Sequence, residues 1–242
     1  MKPMLTSPLL SDEIWVYLSA SPLLGLTLTL VAYQFAFWVF RRSGQRAWAN
    51  PVLIAIGIIT LFLTATDIPY LRYFEGAQFV HFLLGPATIA LAVPLYAYWP
   101  RLKRMFIPLV VALLAGSATA ALSAVAIAKL LGASPATVYS LAPKSVTTPI
   151  AMGVAEQIGG IPSLTAVLVI LTGIIGAIGF PTLFRLLRIH DHAAQGFAVG
   201  VAAHGLGTAR AFLVSEEMGA FSALAMGLNG LLTAVMLPLL LG

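Results

Sequence analysis

Six long stretches of this sequence contain no charged residue, and they constrain the fold more than any other feature does. Each is close to or longer than the roughly 20 residues that cross a hydrocarbon core of about 30 Å. Only 9% of the 242 residues are charged, whereas a soluble domain carries about a quarter. The sequence therefore predicts an all-α polytopic membrane protein. The stretches are Ile14–Phe40, Ala47–Thr66, Gly76–Pro100, Met105–Ala128, Gln157–Phe184 and Met218–Gly242.

Basic residues stand at the ends of these stretches and predict how the chain crosses the membrane. Three clusters, Arg41–Arg46, Arg101–Arg104 and Arg185–Arg188, are expected to be cytoplasmic, because basic residues favour that side. The third cluster is cytoplasmic only if the segment near Lys144–Gly160 enters and leaves on the same side. We therefore expect about six transmembrane helices plus two re-entrant or broken-helix hairpins, with the N-terminus outside. Because topology accounts for the basic residues, no nucleic-acid partner is expected.

The chain is predicted to contain one transmembrane domain after a short leading segment. Residues 1–20 hold Asp12 and Glu13 followed by Trp15 and Tyr17, a composition typical of an interfacial N-terminal segment with aromatic anchors. Residues 21–242 are expected to form the domain, with 21–131 largely scaffold and 141–242 the hairpin-containing transport region. The sequence has no cysteine, which excludes disulfides and thiolate metal sites.

Two segments, Leu141–Pro162 and His192–Phe212, are too polar for simple spans and too apolar for exposed loops. Pro149 removes a backbone donor and disfavours helix at the residue before it. Gly205 and Gly207 permit positive φ and are expected to break the second segment. In hydrocarbon such irregular backbone is tolerated only where protein or a water-filled cavity satisfies it. Each helix is expected to restart beyond its break, where the N–H groups of a helix N-terminus suit an anion.

The side chains near the two breaks predict a binding site for a small carboxylate. Hydroxyl groups come from Ser145, Thr147, Thr148 and Thr208, while Lys144, His204 and Arg210 supply positive charge or donors, and Pro149, Gly205 and Gly207 set the breaks. Either Arg210 or Lys144 is expected to pair with the carboxylate. Glu156 and Glu217 are expected either to neutralise these cations or to take a proton that couples transport.

Structural alternatives stand beside these roles. Arg210 followed by Glu216 and Glu217 is also typical of an aqueous loop, and Lys144 of an interfacial anchor. The threonines are also suited to bonding helix carbonyls, and His204 to packing in a core. The sequence has no HExxH motif and no glycine-rich phosphate loop, so neither an enzyme nor a metal or cofactor is predicted. The coupling ion, H⁺ or Na⁺, is left open.

A weak internal repeat is visible at an offset of 61 residues. Thr147, Glu156 and Thr172 correspond to Thr208, Glu217 and Thr233. A hairpin followed by one span reverses the direction of the chain, so the two copies would be inverted, as in many secondary transporters.

Three motifs resemble signature stretches of the LrgB/CidB family: Leu141–Ala166, Ala202–Phe212 and Phe82–Tyr96. One departure is Leu206, where the family often has isoleucine. The resemblance implies an antiholin-like protein that modulates murein hydrolases and lysis with a small partner of the LrgA/CidA type. It also implies transport, because the similar domain in plants forms the plastidial glycolate/glycerate transporter and some bacterial pairs are linked to pyruvate uptake.

The residues at the breaks favour transport, since a lysis regulator needs no paired breaks lined with Thr, Gly, His and Arg. We expect a carrier of 2-hydroxy or 2-oxo monocarboxylates in the bacterial inner membrane, homodimeric and of the elevator type by analogy with carriers that have two opposed hairpins. The alternatives are the antiholin-like regulator and a passive channel.

Overall fold

The structure of the chain is a computed structural model that describes residues 22–241, and every regular element in that range is helical. The interfacial segment predicted at residues 1–20 lies outside the described residues. A short 3₁₀ helix, Ala47–Ala49, precedes α2. The helices are α1 (Pro22–Arg42), α2 (Pro51–Ala65), α3 (Tyr70–Phe82), α4 (Leu84–Ala90), α5 (Ala92–Ala97), α6 (Trp99–Arg104), α7 (Phe106–Leu130), α8 (Pro135–Leu141), α9 (Thr148–Gln157), α10 (Pro162–Leu186), α11 (His192–Phe212) and α12 (Glu216–Leu241).

The starts of several helices follow directly from the sequence. Proline occupies the first turn of α2, α8, α9 and α10, where its missing N–H costs no helical hydrogen bond. The side chains of Asn50, Ser134 and Asp191 accept hydrogen bonds from backbone N–H groups at the starts of α2, α8 and α11. Ser134 and Pro135 thus determine where α8 begins.

The chain divides into two compact units, the first ending at Thr88 and the second beginning at Ile89. In the first unit, α1 packs closely on α3 because Gly25 lacks a side chain. A Cβ at Gly25 would lie 2.1 Å from the carbonyl oxygen of Tyr73. The hydroxyl of Tyr73 in turn lies 2.8 Å from that of Thr29. Small residues thus permit helix contact in this unit.

The second unit contains both interrupted segments, and α11 folds back on itself at His204. Before this residue, the first limb of α11 runs alongside α12: Cβ atoms at Gly196 and Gly200 would lie 2.2 Å and 2.1 Å from the carbonyl oxygens of Met218 and Ser222. After it, the second limb returns along the same stretch of α12. Thr208 bonds to Ser222, and a Cβ at Gly219 would meet the ring of Phe212 at 2.2 Å. The element is therefore a helical hairpin, with its tip at His204.

The other interrupted segment lies earlier in the chain and forms a hairpin from α8, the turn at residues 142–147, and α9. We call this element the first hairpin and α11 the second hairpin. The first hairpin lies along the opposite half of α12, because Ala142, Val154 and Ile158 share one buried cluster with Leu237. The tips of the two hairpins thus approach the middle of α12 from its two ends.

Within residues 22–241, four helices are long and apolar enough to cross a membrane: Leu23–Arg42, Phe106–Leu130, Pro162–Leu186 and Glu216–Leu241. A fifth span results if the bent pair Tyr70–Val80 and Gly85–Ala97 is counted as one. The break between these helices lies just before Gly85-Pro86, because proline removes a backbone donor. The predicted six spans require the short apolar helix Pro51–Ala65 to cross as well, so that number stays a prediction.

Candidate functional site

The tip of the first hairpin is an irregular turn between Leu141 and Thr148. Thr147 has extended backbone (φ −62°, ψ 147°) and its side chain makes no capping hydrogen bond within the described chain. The sequence predicts that Pro149 disfavours helix at Thr148, but Thr148 is the first residue of α9 and the extended residue is Thr147. Pro149 occupies the first turn of α9, where its missing N–H costs no helical hydrogen bond. The ammonium of Lys144 donates to the hydroxyl of Ser145 over 3.1 Å. This tip therefore combines a helix N-terminus with a half-buried cation.

The tip of the second hairpin is formed by His204, whose backbone has φ 41° and ψ −135°. The sequence assigns this break to Gly205 and Gly207, which permit positive φ, but the positive φ lies at His204 and neither glycine has one. A non-glycine residue in this region is strained and needs its surroundings to hold it. The imidazole Nε2 of His204 lies 3.0 Å from the carbonyl oxygen of Val169, and its backbone oxygen accepts a hydrogen bond from Thr208.

Gly173 of α10 provides the space for this histidine ring. A Cβ at Gly173 would lie 2.7 Å from Cε1 of His204 and 2.7 Å from Cδ1 of Leu206. Gly207 has a packing role instead of a conformational one, since a Cβ there would lie 2.6 Å from the Cβ of Ala203. The glycines near the second tip thus permit close packing.

The two tips meet at Asn229, near the middle of α12. Its Nδ2 donates to the backbone oxygen of Ser145 in the first tip (3.4 Å) and to that of Val201 in the second hairpin (3.1 Å). A second link passes through Val169, which packs with Val146 of the first tip and accepts from His204 of the second. Asn229 is only 1% exposed. The structure thus brings both interruptions to one buried place.

The predicted site residues divide by their distance from this junction. The first tip contains the cation Lys144. In or beside it also lie Ser145, Thr147, Thr148 and Pro149. His204, Gly205, Gly207 and Thr208 lie at the second tip. Arg210 lies six residues beyond His204 in the last turn of α11, about 9 Å along the helix axis. Lys144 is therefore the cation that the structure brings to the junction.

The two glutamates lie away from the tips. Glu156 is exposed near the end of α9. Glu217, which the sequence offers as a partner for Arg210, forms an ion pair with Arg101. Arg101 also pairs with Asp191, the capping residue of α11. These contacts join the starts of α11 and α12 to α6.

Three buried polar residues of the site are absent from the sequence prediction. Asn229 and Ser222 lie in the uncharged stretch Met218–Gly242, and Thr233 lies one turn beyond Asn229. A lone asparagine in a membrane-length apolar stretch is the signal that identifies such a residue, because polar groups there are expensive and are usually functional. Within residues 22–241 no cluster of three metal-ligating side chains occurs.

The fold and this junction define a helical protein with several membrane-length helices and two opposed hairpins whose tips meet in its core. The chain belongs to the LrgB-like family, whose model matches residues 29–242. The resemblance of its motifs to that family is confirmed.

Relatives cover nearly the full chain. This chain is 38% identical over 219 residues to uncharacterized protein YwbG of Bacillus subtilis (strain 168). The match covers 90% of this chain and 97% of the relative. The chain is 30% identical over 219 residues to antiholin-like protein LrgB of Bacillus cereus (strain B4264) and of Bacillus anthracis (strain CDC 684 / NRRL 3495), covering 90% of this chain and 95% of each relative. No solved structure is significantly similar to the chain.

Proposed function

We propose that this protein is a membrane carrier of small monocarboxylates, 2-hydroxy or 2-oxo acids, which it binds between the two hairpin tips. The observation that supports this is the junction at Asn229, where one side chain bonds to both tips. Helix interruptions that meet near the middle of a membrane-length helix are typical of the substrate sites of secondary transporters.

The chemistry of the junction suits an anion. The side chain of Thr147 makes no capping hydrogen bond to the first N–H groups of α9. The second limb of α11 also begins at the junction. Both N-termini carry partial positive charge. Lys144 adds a full charge and Thr148 adds a hydroxyl group, whereas the hydroxyl of Thr208 already donates to the backbone oxygen of His204. A carboxylate is therefore the ligand whose charge these groups match.

Further features belong to the same proposal. Glu156 or Glu217 would couple transport to H⁺ or Na⁺, and the protein would work as a homodimer by an elevator motion of the hairpin region. It would lie in a bacterial inner membrane with its N-terminus outside, without enzymatic activity. The order hairpin, long helix, hairpin, long helix from α8 to α12 supports an inverted repeat.

The test is uptake of labelled glycolate, glycerate and pyruvate into liposomes containing the purified full chain. A carrier gives saturable uptake and counterflow, whereas a passive channel gives neither. Lys144→Ala is expected to lower uptake strongly, with Lys129→Ala, at the exposed end of α7, as the matched control. Full uptake by Thr148→Val and Arg210→Ala would remove those residues from the site.

A second candidate is an antiholin-like regulator of murein hydrolases that acts with a small membrane partner of the LrgA/CidA type. The name antiholin-like protein LrgB, carried by the Bacillus cereus and Bacillus anthracis relatives, favours this candidate. That name supports regulation more directly than it supports transport. This candidate predicts a lysis phenotype that depends on the partner and survives Lys144→Ala and Thr148→Val. Loss of that phenotype in the same variants would instead mean that the lysis phenotype is a consequence of transport.

A further inference from the structure

The side-chain amide of Asn229 has a single possible orientation. Its Nδ2 lies beside two backbone carbonyl oxygens, those of Ser145 and Val201. Carbonyl oxygens only accept hydrogen bonds, so the NH₂ group and not the oxygen must face them. An NH₂ group has two hydrogens, and both are used here. The remaining hydrogen-bonding capacity of this side chain therefore belongs to its oxygen.

That oxygen, Oδ1, is buried and has no hydrogen-bond partner among the described residues. A buried polar atom without a partner is unfavourable and rare in native proteins. Asn229 also lines a small pocket, together with Ser117, Ser145 and Thr233. The pocket also borders the first tip, which contains Lys144. A buried acceptor without a partner among the described residues thus lies beside this pocket at the junction.

We infer that Asn229 is a specificity-determining residue, whose Oδ1 accepts a hydrogen bond from an O–H or N–H group that the transported solute carries beside its carboxylate. This rests on the proposed function and narrows its substrates to the 2-hydroxy acids, because a 2-oxo group only accepts hydrogen bonds. Oδ1 repels a carboxylate, because both are acceptors. The carboxylate is bound by Lys144 and the start of α9, and the donor on the neighbouring carbon reaches Asn229. Acetate has no such donor at neutral pH, whereas glycolate differs from it by one hydroxyl.

The experiment compares glycolate with acetate, and L-lactate with propionate, in uptake by liposomes and in thermal stabilisation of the detergent-purified full chain. Each pair differs only by the hydroxyl. In the wild type, the hydroxylated member is expected to bind about fivefold more tightly, the value of one ordinary hydrogen bond. Asn229→Ala is expected to bring that ratio close to one.

Two further variants separate selectivity from structure. Ser222→Ala removes the bond to Thr208 and loosens the second tip without removing the acceptor, so it lowers uptake of both solutes in proportion and keeps their ratio. Thr172→Val removes a hydroxyl that bonds only within α10 and leaves rates and ratio unchanged.

The outcomes distinguish this inference from the proposed function. Saturable uptake without preference for the hydroxylated solutes in the wild type overturns the role of Asn229 and leaves the carrier intact, and it would mean that water satisfies Oδ1. An unchanged ratio in Asn229→Ala has the same consequence. Absence of uptake and of stabilisation for all four solutes overturns the carrier itself. If Asn229→Ala does not fold, Asn229→Leu, which has a similar volume and no acceptor, takes its place: a ratio close to one supports the role of Asn229 and an unchanged ratio overturns it.

Discussion

Replacing Gly173 with alanine tests whether α10 holds the second tip through the space it leaves for His204. The new Cβ would lie 2.7 Å from Cε1 and 2.9 Å from Nε2 of the imidazole, closer than any non-bonded contact permits. The ring must move, and it loses its 3.0 Å contact with the oxygen of Val169. The change therefore combines overpacking with the loss of a buried hydrogen bond.

The expected magnitude follows from these two effects. Overpacking of a core costs about 1–3 kcal/mol and the hydrogen bond about 1 kcal/mol, while alanine in a helix gains up to about 1 kcal/mol over glycine. The net loss is about 1–3 kcal/mol. Gly179 lies on the same helix and a Cβ there meets nothing within 4 Å. Gly179→Ala is thus a matched control, expected to be neutral or stabilising by up to about 1 kcal/mol.

Thermal unfolding of the detergent-purified full chain measures this difference. Each kcal/mol corresponds to about 2–4 °C in a chain of this length, so Gly173→Ala should unfold about 2–16 °C below Gly179→Ala. Uptake should fall in the first variant and not in the second. Equal unfolding temperatures in the two variants would refute the proposed fit between Gly173 and the His204 ring.

Two other substitutions test the hairpins. Gly200→Ala places a Cβ 2.1 Å from the backbone oxygen of Ser222. Because that oxygen cannot rotate away, the variant should be destabilised by about 3 kcal/mol or more. Gly227→Ala, whose Cβ would meet nothing within 4 Å, should not be destabilised, and similar unfolding of both variants would contradict the close packing of α11 on α12. Ser140→Ala removes the oxygen that accepts from the N–H of Ile161 over 2.7 Å and should cost about 1 kcal/mol, the value of one hydrogen bond. Denaturant titration measures this cost, and an unchanged midpoint would mean that another group satisfies the N–H.

Much of the helical layout is predictable from the sequence because its causes are local. The positions of α1, α2, α7, α10 and α12 follow from uncharged apolar stretches bounded by charge or proline, since lipid admits only backbone that bonds within itself. Pro149 likewise determines where α9 begins. The family membership also rests on local motifs, chiefly Leu141–Ala166.

The sequence by itself determined that the chain has membrane-length helices and two interruptions rich in Thr, Gly and Pro. Only the tertiary structure decided that His204, and not a neighbouring glycine, has positive φ, because the strain there is held by Val169 on another helix. It also decided that the two interruptions meet. Asn229 joins partners 84 and 28 residues away, and no local pattern specifies contacts across such separations.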